Sequence, residues 1–151
     1  KQIGEIKCTL MHGYNMFDGK NNMRLIADGE SGDLLNAVYA VTDNENFLKD
    51  DEGFNNDVLY IDRFYIQPEY RDKGIGSLVF LYLYDFFSNK VGVITIIPVP
   101  HNSTGDNKIE KENTQYEVLL EKWSSFLKRF NFKLVNDKLG VWAQYTAYKN
   151  I

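Results

Sequence analysis

Two glycines that follow closely behind an arginine are the residues of this sequence best placed to do chemistry. Arg71, Gly74 and Gly76 form an Arg-x-x-Gly-x-Gly pattern between a strand-like segment and an apolar segment. Glycines let the backbone turn tightly and approach a ligand closely. A helix opening near Ser77 would add free N–H groups and the positive end of its dipole, so the pattern predicts a site for an anion such as a pyrophosphate. Arg71 and Lys73 add positive charge, and an ordinary tight turn is the alternative interpretation.

The segments that flank this pattern are predicted to hold it in place. Residues 58–67 are dense in β-branched and aromatic side chains, which is typical of a strand, and Pro68 ends it. Residues 77–87 are apolar at nearly every position without glycine or proline, which favours a buried helix. Residues 91–97 have the almost wholly apolar character of a central strand that is buried on both faces.

Residues 115–130 give the clearest helical signal. Their apolar side chains recur at offsets 0, 3, 4, 7, 10, 11 and 14 from Tyr116, which makes one continuous stripe. Thr114 and Glu117 fit a Thr-x-x-Glu capping box at the start, and Asn131 fits a left-handed cap at the end. Residues 132–135 and 141–148 then read as a closing pair of strands.

The first third of the chain reads as strands. Residues 3–10 mix β-branched and polar side chains, and the apolar runs 23–27 and 34–41 are separated by turn formers at 28–33, which predicts a hairpin. Residues 43–57 carry six acidic side chains against one lysine, which indicates an exposed loop or a short helical piece. Together the segments predict a mixed α/β sheet, in the order β-β-β-β-α-β-α-β-β, with helices packed on it.

The composition is that of one globular domain and argues against several classes of protein. The 151 residues, 44% hydrophobic and 25% charged, suit a single domain that spans the chain. The net charge of −4 argues against a nucleic-acid partner, and the longest apolar run, 78–87, is too short to cross a membrane. With Cys8 as the one cysteine, we expect a buried inert thiol and a cytoplasmic setting. His12 and His101 offer no ligand spacing for zinc, so no metal is expected, and the start at Lys1 rather than Met leaves a trimmed N-terminus open.

Residues 62–78 closely resemble the acyl-CoA-binding motif of the GNAT (general N-acetyltransferase) superfamily. That motif is usually a strand, then Pro-Glu-Tyr-Arg-Gly-Lys-Gly-Ile-Gly, then a helix, and residues 68–76 read Pro-Glu-Tyr-Arg-Asp-Lys-Gly-Ile-Gly. The resemblance covers residues 23–148. It implies a GNAT-like α+β fold, a mixed, mostly antiparallel sheet of about seven strands flanked by helices, with acetyl-CoA as the cosubstrate.

The resemblance also implies which residues hold the cosubstrate. In this family the CoA pyrophosphate rests on main-chain amides of the glycine loop, and the pantetheine arm pairs with the preceding strand like an extra strand. The matching strand positions are Phe64, Tyr65 and Ile66, and an N–H near Ile66 would polarise the thioester carbonyl. The matching loop positions are Arg71, Asp72, Lys73, Gly74, Ile75, Gly76 and Ser77.

The proton donor for the departing thiolate is the first departure from the family pattern. Members often carry a tyrosine four residues before a Gly-Phe pair, and aligning Asn131 and Phe132 with that pair puts Leu127 at the tyrosine position. A CoA thiolate is a good leaving group, so strong help is not required. The candidate replacements are Tyr116, Ser124, Ser125 and water.

Asp62 is the first candidate for the base that deprotonates the amine, because on a regular strand it would share a face with Phe64 and Ile66. A surface ion pair is an equally good interpretation of Asp62. Tyr60 is the second candidate. His101 follows a strand that splays from its neighbour in this family, although a solvated loop histidine is the more common outcome.

The acceptor site is the second departure. The family inserts two helices between its first two strands to wall this site, and residues 11–22 are too few for two helices. Either the wall is lost, or residues 43–57 and 98–114 replace it. The acidic stretch 43–57 predicts an acceptor that is cationic at neutral pH, with a solvated surface loop as the alternative.

The residues and the resemblance together predict an acetyl-CoA-dependent N-acetyltransferase that moves an acetyl group to a primary amine of a small molecule, peptide or protein. The alternative is a GNAT-fold domain that binds acyl-CoA or a protein partner without efficient catalysis. An aminoacyl-tRNA acetylating toxin fits the fold but is disfavoured by the acidic charge. The oligomeric state stays open, a homodimer included.

Overall fold

A computed structural model describes residues 1–13, 19–44, 57–101 and 107–146. The strands of this part of the chain are β1 (Gly4–Met11), β2 (Val58–Ile66), β3 (Val93–Ile96), β4 (Lys133–Asn136) and β5 (Val141–Tyr145). The α-helices are α1 (Gly19–Glu30), α2 (Gly32–Thr42), α3 (Ile75–Phe87) and α4 (Tyr116–Arg129), and a short 3₁₀ helix spans Pro68–Tyr70.

The strands form one mixed sheet in the order β1-β2-β3-β5-β4. β2 and β3 run parallel, and the other neighbouring pairs run antiparallel. Helices α1 and α2 cover one face, with Met23 and Val38 in the core. Helices α3 and α4 cover the other face, where Phe80 and Leu127 are fully buried. The predicted mixed, mostly antiparallel sheet flanked by helices is confirmed, with five strands in the described residues where about seven were expected.

The prediction of strands at residues 23–27 and 34–41 is wrong, because these runs lie in α1 and α2. The turn formers between them join two helices. Ser31 is the N-cap of α2, and its Oγ accepts a hydrogen bond from the Leu34 amide at 3.1 Å. A short apolar run fits a strand or a buried helix equally well, and here burial on one helical face decides. The buried positions recur with helical spacing at Leu34, Ala37, Val38 and Val41.

Two helices therefore do lie between the first two strands, and the expectation that the segment is too short for them is wrong. That expectation follows from assigning residues 23–41 to strands. The two helices pack on the sheet face that carries Val58 and Tyr60. They form a wall beside β2, and Lys108 from the segment 98–114 reaches that wall through an ion pair with Asp33 at 3.3 Å.

The later elements lie within two residues of their predicted bounds, except that β5 ends at Tyr145 instead of residue 148, and the start of α4 differs in detail. Gln115 is the N-cap and makes no side-chain cap bond, so the Thr114–Glu117 capping box is not formed. Instead, the Gln115 amide donates to Asn113 Oδ1 at 2.9 Å. Asn131 has a φ of 62°, which confirms the left-handed cap.

Residues 45–56, most of the acidic stretch, lie outside the described residues, as do residues 147–151. Within the described ranges, no helix is long and apolar enough to cross a bilayer. The same part of the chain holds no cluster of three His, Cys, Asp or Glu side chains that could bind a metal ion.

Candidate active site

A groove opens where β2 and β3 separate. Their parallel pairing runs from Val58 and Val93 to Ile61 and Ile96 and goes no further. Beyond Ile61, β2 continues beside β1, and no described strand lies along its other edge. An extended ligand can therefore lie against this edge of β2, in the manner of an added strand.

The groove has a volume of about 900 Å³ and three walls. The end of β2 and its following loop give Phe64, Tyr65, Ile66, Arg71 and Asp72, the segment after β3 gives Val99, Pro100 and His101, and α4 gives the third wall. Phe64, Trp123 and Phe126 form an aromatic floor, with ring centroids 5.8–6.0 Å apart. The floor is apolar, and charged side chains lie around it.

The loop between β2 and α3 ends the groove and has the backbone of an anion site. Asp72 and Gly74 have φ values of 59° and 76°, so two residues of this short loop are left-handed. Gly74 is the N-cap of α3, and Leu78 is the first helical residue whose amide bonds back to a carbonyl of the turn, that of Gly74 at 3.0 Å. The amides of Ile75, Gly76 and Ser77 in the first turn of α3 are the donors that a helix N-terminus leaves without a carbonyl of its own helix, which favours a negatively charged group there.

The two cations of the loop hold its shape. Arg71 Nε donates to the Ile66 carbonyl oxygen at 2.7 Å, and the guanidinium lies 5.3 Å from the centre of the Tyr65 ring. Lys73 Nζ donates to the Glu69 carbonyl oxygen at 2.7 Å. Arg71 thus ties the loop to the end of β2, Lys73 ties it to the 3₁₀ helix, and both keep positive charge beside the groove.

Comparison with protein-family models matches residues 13–105 to the acetyltransferase (GNAT) family. The chain belongs to the GNAT family. No curated protein matches the chain significantly. The match spans α1, α2, β2, the glycine loop, α3, β3 and the segment up to His101, and thus includes two of the three walls of the groove.

The ten residues that the GNAT motif assigns to CoA lie together in the fold. Five of them, at the end of β2 and on the loop, line the groove. The other five carry the loop into α3, namely Lys73, Gly74, Ile75, Gly76 and Ser77. A Cβ placed on Gly76 would lie 3.7 Å from Phe64 and 3.8 Å from Ile66, so Gly76 faces the same end of the groove.

Asp62 does not share a face with Phe64, and the premise that β2 is regular is wrong. Lys7 pairs with Arg63 and Cys8 with Ile61, so Asp62 is the extra residue of a β-bulge. The bulge turns Phe64 toward α3 and α4, whereas Asp62 forms an ion pair with Lys7 at 3.0 Å. Asp62 therefore lies beside β1, away from the aromatic floor.

Tyr60 is buried on the sheet face that α1 and α2 cover. Burial raises the pKa of its hydroxyl well above the ordinary value, and the nearby carboxylates of Asp33 and Asp62 raise it further. A phenol held protonated in this way donates a hydrogen bond at neutral pH and does not act as a base.

The candidate proton donors on α4 differ in whether they line the groove. Leu127, at the family's tyrosine position, is fully buried in the cluster that α3 and α4 form with the sheet. Tyr116 is half-buried and is not among the described residues that line the groove, and Ser124 Oγ donates to the Leu120 carbonyl oxygen at 3.1 Å. Ser125 lines the groove.

His101 is a groove residue to which sequence reasoning gave too little weight. It is half-buried beside the end of β2, and its Nδ1 lies 2.8 Å from the Val99 carbonyl oxygen. Its backbone pairs with Lys108 in an isolated antiparallel bridge. Burial lowers the pKa of the imidazole below its ordinary value, which the Val99 bond partly opposes and the charges of Arg63 and Lys108 reinforce.

Cys8 lies apart from this chemistry. The thiol is partly buried on β1, and burial raises its pKa to about 11. It is therefore protonated at neutral pH and is not a nucleophile, in line with the predicted inert thiol.

Proposed function

We propose that this chain is an acetyl-CoA-dependent N-acetyltransferase that transfers the acetyl group to a primary amine of a small molecule or protein. One observation carries the proposal. The groove runs along the edge of β2 on which no described strand lies, and it ends at a glycine loop that opens the N-terminus of α3. A long ligand with an anionic end and an extended, weakly polar arm fits this arrangement.

In this proposal the pyrophosphate binds the amides between Arg71 and Ser77, and the pantetheine arm lies beside Phe64, Tyr65 and Ile66. The arm then points away from the loop, toward Ile61 and Ile96, where β2 and β3 part. An N–H near Ile66 polarises the thioester carbonyl. The aromatic floor excludes water from the reacting end, which strengthens that polarisation.

The acceptor amine is proposed to approach from the side of α1 and α2. The carboxylates of Asp33 and Asp62 both lie close enough to Tyr60 to affect its pKa. Each carboxylate is paired with a lysine, Asp62 with Lys7 at 3.0 Å and Asp33 with Lys108 at 3.3 Å, so a cationic acceptor must compete with these lysines. Residues 45–56 lie outside the described part of the chain, so the cationic-acceptor prediction here rests on that competition, within a screening length of about 8 Å at physiological salt.

The thiolate is proposed to take its proton from water or from Ser125. A thiol has an ordinary pKa of about 8.5, so the leaving group needs modest help at neutral pH. Ser125 is the one predicted donor on α4 that lines the groove among the described residues. We therefore expect slower turnover than in enzymes that carry the usual tyrosine.

The proposal is tested by calorimetry with acetyl-CoA and by a CoA-thiol release assay with spermidine, kanamycin and a lysine-containing peptide. Binding of acetyl-CoA with release of thiol that depends on an added amine supports it. No heat of binding with acetyl-CoA or CoA would contradict it.

A second function is favoured by one observation, the buried Leu127 at the position of the family's proton donor. In that case the chain binds acyl-CoA as a regulatory or interaction domain without efficient turnover. Binding of acetyl-CoA without amine-dependent thiol release from any of the three acceptors would favour this alternative.

A further inference from the structure

The imidazole of His101 occupies the wall of the groove opposite the end of β2. It follows Val99 and Pro100, which with Phe64 and Ile66 line the same space. Two contacts hold the segment in place: the Ile109 amide donates to the Pro100 carbonyl oxygen at 2.9 Å, and His101 bridges to Lys108. The histidine is thus held by the backbone rather than being a solvated loop residue.

The hydrogen bond to Val99 decides which ring nitrogen carries the proton. A carbonyl oxygen only accepts, so Nδ1, 2.8 Å from it, must be the protonated nitrogen. In the neutral ring Nε2 then has the free lone pair. The bond at Nδ1 therefore fixes Nε2 as the proton acceptor. Proton abstraction requires such an acceptor nitrogen.

The charges around the ring favour its neutral form. Arg63 on β2 and Lys108 on the facing segment are the cations that act on it, and both disfavour imidazolium. The groove also contains the charged residues Arg71, Asp72, Glu121, Lys122 and Arg129, on the loop and on α4. The pKa of His101 lies below its ordinary value with burial as the largest cause, so the ring is neutral at pH 7.

The other candidate bases are less well placed. Asp62 lies on the bulge beside β1 and is paired with Lys7, and Tyr60 is buried and holds its proton. Among the described side chains that line the groove, His101 is the one histidine.

We propose that His101 is the catalytic base that takes a proton from the acceptor ammonium. This inference rests on the proposed function. Nε2 accepts a proton from R–NH₃⁺, the nitrogen lone pair forms the C–N bond to the thioester carbonyl, and the C–S bond breaks with its electron pair on sulfur. The nitrogen loses a second proton, the thiolate gains one, and His101 releases its own to solvent. In total, R–NH₃⁺ and acetyl-S-CoA give the acetylated amine, HS-CoA and one H⁺.

The test compares His101→Asn with His12→Asn. Asparagine can keep a donor toward the Val99 carbonyl, so the first variant removes the base and keeps the structural bond. His12 pairs with Asp57 at 2.9 Å and does not line the groove, so the second variant controls for loss of a histidine. Melting temperature, acetyl-CoA affinity and kcat/KM from pH 5 to 9 are measured with whichever of spermidine, kanamycin and the lysine-containing peptide the wild type acetylates fastest.

The expected result for His101→Asn is unchanged acetyl-CoA affinity, a fall of about a hundredfold or more in kcat/KM and loss of the acid limb below pH 6.5. The His12→Asn variant should match the wild type. A fall of less than threefold with the wild-type pH profile would overturn the assignment, while intact acetyl-CoA binding would leave the proposed function standing.

A second measurement applies even if none of the three amines is acetylated. Nitrogen NMR of the histidine rings in the acetyl-CoA complex reports the tautomer and the titration directly. A neutral ring protonated at Nδ1 that titrates below pH 6.5 supports the base role. A ring protonated at Nε2, or one still charged at pH 7, overturns it.

Discussion

Replacement of Gly74 by valine tests whether acetyl-CoA binding needs the left-handed backbone of the loop. Gly74 has a φ of 76° at the N-cap of α3, and a Cβ added there would meet no atom within 4 Å. The substitution is therefore not blocked by a clash. It is opposed by the left-handed backbone, which costs an L-residue about 1–2 kcal/mol and a β-branched residue more.

The conformational cost of valine at position 74 must appear as a lower free energy of unfolding, as weaker binding of acetyl-CoA, or as both. If the loop keeps its shape, the free energy of unfolding falls by about 1–2 kcal/mol, which lowers the melting temperature by about 2–8 °C for a chain of this size. If the loop relaxes, the amides of Ile75 and Gly76 turn away from the pyrophosphate. One lost bond to a charged group is worth about 1.5–3 kcal/mol, or about tenfold to one hundredfold in the dissociation constant. We expect the valine to force relaxation and to weaken acetyl-CoA binding at least tenfold.

Gly140 provides the matched control. Its φ is 65°, and a Cβ there also meets nothing within 4 Å, but it lies in the turn between β4 and β5, and does not line the groove. Gly140→Val should therefore lower the melting temperature by the amount expected for a valine at a left-handed position, and it should bind acetyl-CoA with wild-type affinity. Thermal melts and calorimetry are carried out on both variants. The reasoning about the loop fails if Gly74→Val binds acetyl-CoA within twofold of the wild type, or if both variants lose affinity equally.

Three further predictions concern the aromatic core, the thiol of Cys8 and the charge of the loop. Phe80→Ala should lower the melting temperature by about 6–20 °C, because Phe80 is fully buried among the rings of Phe64, Phe126 and other aromatic residues and such truncations cost about 3–5 kcal/mol; a drop under 3 °C would contradict the packing. Cys8 should react with iodoacetamide about a hundredfold more slowly in the native protein than in denaturant at pH 8, because its pKa is raised from 9.0 to about 11; equal rates would show an accessible thiolate. Asp72→Asn should tighten acetyl-CoA binding about two- to fivefold at low salt and less at high salt, because it removes a negative charge from the loop. Asparagine tolerates the φ of 59° at this position, so the loop should keep its shape. Unchanged affinity in calorimetry would place the carboxylate away from the phosphates.

The sequence by itself determined the elements around the glycine loop. β2, α3, β3 and α4 could be read from local signals, since Pro68 and Pro98 follow the two strands, the apolar run 77–87 suits a buried helix, and one helical apolar stripe runs through α4. The motif at residues 68–76 places two glycines where a strand turns into a helix. Such a signal is local because the φ of Gly74 depends on a few neighbouring residues.

The tertiary structure alone decided the first helices and the orientation of the candidate catalytic side chains. Runs 23–27 and 34–41 are apolar enough for either element, and only their packing against Val58 and Tyr60 makes them helices. Phe64 lies on the opposite face from Asp62 because a bulge inserts one residue into β2 opposite β1, and a shift of one residue reverses every later side chain of a strand. His101 became a groove residue because β3 ends at Ile96 and the following segment bridges to Lys108. Bulges, strand ends and bridges arise from contacts between segments far apart in the chain, so no local pattern of residues specifies them.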